Sequence, residues 1–117
     1  MTQIEIAKAF SGGQFESCYA YLTDASEWNV IGEHHWVGKQ SIIDFCEKTA
    51  KYFDSVSTNF QEHNLIANNN RVAINGTGEF VRDGARVAFV SSCDVYVFDN
   101  DNKIISITSY CIPDKNK

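Results

Sequence analysis

The hydrophobic period of this chain changes once, near Val56, from helical spacing to strict alternation, and few folds accommodate that change. Downstream, apolar and polar residues alternate through four long stretches: Val56–Ala67, Arg71–Arg82, Arg86–Phe98 and Lys103–Ile112. Their separators are turn formers: Asn68-Asn69-Asn70, Asp83-Gly84 and Asn100-Asp101-Asn102. Long strands joined by short turns pair antiparallel, so the second half predicts a meander. Upstream, Thr2 and Glu5 form a T-x-x-E capping box ahead of Ile6, Ala7 and Phe10. Gly12-Gly13 breaks the chain, and Phe15, Cys18, Tyr19 and Leu22 mark a second helix over Gln14–Leu22. A third helix, Lys39–Phe53, carries Ile42, Ile43, Phe45, Cys46, Ala50 and Phe53 as one broad apolar stripe. Between the last two helices lies an extended stretch, Ser26 to Val37, with Gly32 as its turn. Helices first and a meander afterwards predict an α+β fold, in which three helices cover a curved antiparallel sheet.

A chain of 117 residues, 44% of them hydrophobic, holds one core and not two, so residues 1–117 are expected to form one domain. Eight Phe, five Tyr and two Trp supply the large side chains that a domain with an internal pocket needs. The formal net charge is -5 and Lys and Arg are nowhere concentrated, which argues against a nucleic-acid partner. No apolar run approaches a membrane span, and the first residues lack the basic and apolar segments of a secretory signal. The cytoplasm is the expected compartment. Cys18, Cys46, Cys93 and Cys111 are widely spread, so four buried free thiols are expected rather than disulfides or a zinc site. His34 and His35 are adjacent, would face opposite ways on a strand, and are read as a solvated loop. The run Asp99-Asn100-Asp101-Asn102 lacks the Gly and Glu of a calcium loop and reads as a hairpin turn. No metal and no cofactor are expected.

One arrangement of residues carries a family likeness. Gly12-Gly13-Gln14-Phe15 opens the second helix, Leu22-Thr23-Asp24 closes it, and Trp28-Asn29-Val30 follows. Gly38-Lys39-Gln40-Ser41-Ile42 starts the third helix, and Asp94-Val95-Tyr96-Val97-Phe98, Lys103-Ile104 and Tyr110 stand near the end. In order and spacing the chain resembles the nuclear transport factor 2-like superfamily, with its cone-shaped, cystatin-like α+β fold. The nearest branches are the ketosteroid isomerases and the SnoaL-like polyketide cyclases. The resemblance implies a small-molecule pocket, a small apolar or partly polar organic ligand, and a homodimer through the outer sheet face near Thr77, Glu79 and Cys93.

By the same resemblance Asp94 takes the place of the oxyanion-binding acid, Asn29 that of the catalytic base, and Glu5 that of the first-helix Tyr. An Asn cannot take up a substrate proton at neutral pH, so steroid isomerisation is not expected. Ser109 stands where the epoxide hydrolase branch has an Asp, which disfavours that chemistry as well. On an extended strand Val90, Ser92, Asp94, Tyr96 and Phe98 share one face, and a carboxyl among such neighbours should have a raised pKa. Asp94 and Asn29 are therefore the candidate catalytic pair, with Trp28, Tyr21, Phe45, Val90, Ser92 and Ser109 as candidate ligand-binding residues. Trp36 is a further aromatic open to a core or a lining role, while Gly76 and Gly78 mark either a bulge or an opened pocket. Two functions remain open: acid-assisted isomerisation or cyclisation through an enol or enolate, and non-catalytic ligand binding or dimerisation on the same fold.

Overall fold

The computed structural model describes residues 1–114. The elements run α1 (Gln3–Ser11), a 3-10 helix (Glu16–Tyr21), β1 (Glu27–Val30), β2 (His34–Val37), α2 (Lys39–Asp54), β3 (Ser57–Asn68), β4 (Arg71–Arg82), β5 (Ala85–Phe98) and β6 (Ile104–Pro113). The capping box of α1 is complete: the Glu5 N–H donates to Thr2 Oγ1 at 3.1 Å, and the Thr2 N–H donates to Glu5 Oε1 at 2.8 Å. The expected second helix is only a 3-10 turn. Gly13, at φ 83°, and extended Leu22 confine it to six residues, too few for an α-helix to offset its nucleation cost.

The sheet is wider than the meander alone. Its order is β2-β1-β6-β5-β4-β3. The extended stretch folds as the antiparallel hairpin β1–β2, and β1 then lies parallel to β6. The meander itself is antiparallel throughout, from β3 to β6. Asn69, Asn70 and Asp83 take positive φ in its turns, as the Asn and Asp-Gly signals require. At the third turn Asp99 Oδ1 accepts from the N–H groups of Asp101 and Lys103, so the acidic run serves a hairpin.

The helices cover one face, and beneath them lies the core. Ile6, Ala7 and Phe10 of α1 and Ile42 and Cys46 of α2 pack with Trp28, Val72, Tyr96, Phe98, Ile104 and Ile107. Phe45 and Phe53 of α2 join this cluster as half-buried members. Cys18 and Cys46 are buried free thiols, whereas Cys93 and Cys111 are only half-buried. No helix among the described residues is long and apolar enough to cross a membrane. Among the described residues no helix covers the opposite face, and there Ile66, Tyr110 and Ile112 are exposed.

Register breaks at Glu62/Asn64, Phe80/Val81 and Val97/Phe98 bend the strands around the helices. The first break explains Gly76. A Cβ there would lie 2.1 Å from the carbonyl oxygen of Gln61, which leans in at the bulge. Gly78 has another role, because it leaves space between Phe60 and Phe80. Gly76→Ala is therefore expected to lower the stability measured by urea unfolding by about 3 kcal/mol or more, since backbone must move. Gly32→Ala, strained only by its φ of 79° in open space, should cost about 1–2 kcal/mol.

Candidate functional site

Between α2, the end of α1 and the concave sheet face lies a cavity of about 470 Å³. Its wall is largely apolar and rich in aromatic rings, with Phe10, Phe15, Trp28, Phe45, Phe53 and Phe80 in edge and stacked contacts with one another. Polar groups enter along β5 and β6. Val90, Ser92 and Asp94 alternate with outward residues on β5, and Ser109 stands opposite Asp94 on β6.

Asp94 is held by two chains of hydrogen bonds. Ser11 Oγ, at the end of α1, donates to Asp94 Oδ2 at 2.7 Å and lies 2.6 Å from the hydroxyl of Tyr96. On the other side the Trp28 Nε1–H donates to Ser109 Oγ at 3.0 Å, and Ser109, in register opposite Asp94, turns its hydroxyl toward the carboxyl and lowers its pKa. The direction of both chains follows when Asp94 accepts from Ser11. An indole N–H only donates, and Ser11, with one proton given to Asp94, accepts from Tyr96. Both chains thus run toward the carboxyl, Tyr96 through Ser11 and Trp28 through Ser109.

The electrostatics pull in two directions. Burial raises the Asp94 pKa, while the hydrogen bonds from Ser109 and Ser11 lower it, and burial wins. Burial first, and then the Asp94 charge, push the Tyr96 hydroxyl well above its usual range. Cys111, also on the cavity wall, is pushed up to about 11 by burial and then by Asp94 and Glu33, so it is a neutral thiol and a poor nucleophile at neutral pH. When Asp94 is protonated, its neighbours already supply donors on both sides. Its own proton is then free to meet an acceptor in the cavity.

Several expected site residues fall elsewhere. Trp28 and Val30 line the cavity, so Asn29 between them faces the outer side of β1, in register with Thr108 and His35. The spacing match put the base position on residue 29, but alternation along β1 turns that residue away from the cavity. Tyr21 is also outside the cavity: its hydroxyl accepts from the N-terminal amine, and Lys103 Nζ lies 5.8 Å from its ring centre. Trp36 is off the cavity wall but packs against Phe45, which is on it. Glu5 is occupied as a cap and lies off the cavity wall. Phe45, Trp28, Val90, Ser92 and Ser109 do line the cavity beside Asp94.

The sequence reading also missed residues. His34 is not a loop residue but opens β2, stacks on Trp36 at 5.4 Å and lines the cavity with Glu33. Its adjacency to His35 hid this, for His35 turns the other way and pairs with Glu27 at 2.7 Å. Ser11 was missed because a Ser at a helix end carries no signal of its own. No three His, Cys, Asp or Glu side chains among the described residues gather as a metal-binding group.

Residues 5–107 match the model of the SnoaL-like domain family. The chain belongs to that family. A nuclear transport factor 2-like protein of unknown function from Cytophaga hutchinsonii is 40% identical, with a TM-score of 0.83 over 93% of this chain and 95% of its own. An LEH-like epoxide hydrolase of M. tuberculosis is 18% identical, with a TM-score of 0.70 over 94% and 82%. SalBIII, an epoxide hydrolase/cyclase-like enzyme in pyran ring formation in the polyether salinomycin, is 16% identical, with a TM-score of 0.71 over 94% and 90%. At such identities the two enzymes share the fold, and their activities stay their own. No curated protein matches the chain.

The raised Asp94 pKa has a definite sign in stability. The folded state binds the carboxyl proton more tightly than the unfolded chain does, so this group destabilises the fold progressively as pH rises from 3.8 through its folded pKa. Asp94→Asn is expected to be more stable than the wild type at neutral pH, with the difference fading below 3.8, where Asp94 is neutral in both states. Melting curves of both proteins from acid to neutral pH test this. A variant less stable at pH 7 would mean that the carboxylate is favoured by folding.

Proposed function

We propose that this member of the SnoaL-like family binds a small, largely apolar, carbonyl-bearing molecule and assists its isomerisation or cyclisation through an enol or enolate, with Asp94 as general acid. One observation carries the reading: the Asp94 carboxyl, its pKa raised by burial, stands in a cavity rich in aromatic rings, with the Ser11 and Ser109 hydroxyls on its two sides. A neutral acid so placed donates to a carbonyl oxygen and favours the charge that develops there. In a cyclisation, an enol carbon bonds to a second carbonyl carbon. That carbonyl's oxygen takes the Asp94 proton to become a hydroxyl, and the proton lost by the enol oxygen restores the acid.

On β1 the residues that face the cavity, Trp28 and Val30, carry no base. The other titratable groups on its wall are Glu33, His34, Tyr52 and Cys111. Substrates that enolise readily, such as 1,3-dicarbonyl compounds, suit a site whose remaining base candidates, Glu33 and His34, come from the β1–β2 hairpin. The lack of a base on β1 equally supports the second reading, a ligand-binding module that performs no chemistry.

A phenol on a flat aromatic frame imitates the enol and separates the readings in two steps. 2-Naphthol is expected to bind about tenfold more tightly than naphthalene to the wild type, as one well-made hydrogen bond allows, and equally with naphthalene to Asp94→Leu. Equal binding to the wild type would remove Asp94 from the site. Turnover of 1,3-dicarbonyl substrates that falls in Asp94→Asn supports the enzyme, and its absence with retained naphthol binding supports the module. A β,γ-unsaturated ketosteroid should not isomerise measurably, with or without Asn29→Asp, because residue 29 faces away from the cavity.

A further inference from the structure

Asp94 borders a second cavity as well as the first. This smaller space, about 150 Å³, lies between the end of α1 and the bulged part of β3, and shares Ser11, Phe60, Ser92 and Asp94 with the main cavity. Its remaining wall comes from Lys8 and Gly12 on α1, Gln61 and Glu62 on β3, and Ile74, Gly76 and Thr77 on β4. The two spaces differ in kind. The main one is rich in aromatic rings, whereas this one sets Ser11, Ser92, Thr77, Glu62 and Lys8 beside only two large apolar residues, Phe60 and Ile74.

The backbone keeps this space open. The β3 register breaks between Glu62 and Asn64, and Gly76 presents no side chain where the Gln61 carbonyl enters. Gly12 ends α1 above it without a side chain. At its solvent side Lys8 Nζ and Glu62 Oε1 stand 3.9 Å apart, both substantially exposed. A pair this loose and wet contributes little to stability and moves easily.

We propose that this second cavity is a water-filled side entrance, through which Asp94 exchanges its proton with solvent while an organic ligand fills the main cavity. Water is the occupant that fits. A buried water needs on the order of 10–15 Å³ and two to four polar partners, and the space offers room for several with Ser11, Ser92, Asp94 and Glu62 as partners. The step is a simple proton transfer. The carboxyl O–H breaks, a water takes the proton as hydronium, and the charge passes outward beside Glu62; the reverse transfer recharges the acid. The usefulness of the route rests on the acid role proposed for Asp94, but its existence does not. Hydration of the carboxyl is read without any substrate.

The experiment follows the Asp94 carboxyl by carbon-13 NMR titration of the full chain while each approach is obstructed. Glu62→Phe fills the side entrance, with Glu62→Gln as its charge control, and Ala88→Trp fills the main cavity, where Ala88 lies on the wall. The charged and titratable groups on the walls of the two cavities and beside Asp94 are Lys8 from α1, Glu62 from β3, Tyr96 from β5, Cys111 from β6, Glu33 from the β1–β2 turn, His34 from β2 and Tyr52 from α2. Losing the Glu62 charge alone makes the Asp94 carboxylate easier to form and lowers its pKa. Drying the entrance does the opposite, so the sign identifies the cause.

Glu62→Gln should shift the Asp94 pKa down or leave it, while Glu62→Phe should shift it up by about one unit through lost hydration. Ala88→Trp should leave Asp94 titrating reversibly, and adding Glu62→Phe should raise its pKa further. If Glu62→Phe behaves as Glu62→Gln does, and Ala88→Trp alone produces the whole rise, then the side entrance carries no water to Asp94 and the proposal falls. Should Glu62→Phe fail to fold, Lys8→Phe against Lys8→Gln obstructs the same opening from the helix, and an identical shift in both variants overturns it equally. Naphthol binding to the wild type is untouched by either result.

Discussion

The pleat of β5 is the constraint on which the rest of this structure depends. Successive side chains of a strand face opposite ways, so one register choice sends Val90, Ser92, Asp94, Tyr96 and Phe98 together onto the concave face. Tyr96 and Phe98 at one end are buried under α1 and join the core. Val90 and Ser92 toward the other end reach the cavity. Asp94 stands at the boundary, where core becomes pocket. Shifting β5 by one residue would bury Cys93 and Val95 and turn the only inward carboxyl of the strand to the outside.

Placing a carboxyl at that boundary has a cost, and the surrounding groups are arranged to limit it. A buried carboxylate without partners is strongly disfavoured. Here Ser11 comes from α1 and Ser109 from β6, each backed by a further donor, Tyr96 or Trp28. The same residues have structural duties, since Trp28 and Tyr96 belong to the hydrophobic core. The site is thereby coupled to the packing of helix on sheet. The aromatic wall keeps burial dominant over the two hydroxyls, and the acid consequently holds its proton more firmly than an exposed Asp.

Much of the fold was legible because it is written in periodicity and turns. The stripe on α2, the capping box at Thr2 and Glu5, and the Asn and Asp-Gly turns each have a local physical cause. The extended stretch before α2 was legible as extended, but its parallel pairing with β6 was not. That contact joins residues about eighty apart, Asn29 with Thr108 among them, and no local pattern encodes it. The site divides the same way. Asp94, Ser92 and Val90 follow from alternation along one strand, whereas Ser11 and His34 reach the cavity only through tertiary packing. Asn29 shows the limit of spacing alone, for neighbouring residues of a strand face opposite ways and only the register decides which of them reaches the pocket.

The account turns on where five protons sit around Asp94. Neutron diffraction from a deuterated crystal grown below the pKa of Asp94 locates them directly. The expected map has the Tyr96 deuteron on the line to Ser11, the Ser11 deuteron on the line to Asp94 Oδ2, the Trp28 deuteron on the line to Ser109, the Ser109 deuteron on the line to Asp94, and the Asp94 deuteron directed into the cavity. A Ser11 deuteron turned to Tyr96, with Asp94 donating to Ser11 instead, would contradict it: the acid would then be spent inside the protein and unable to meet a ligand.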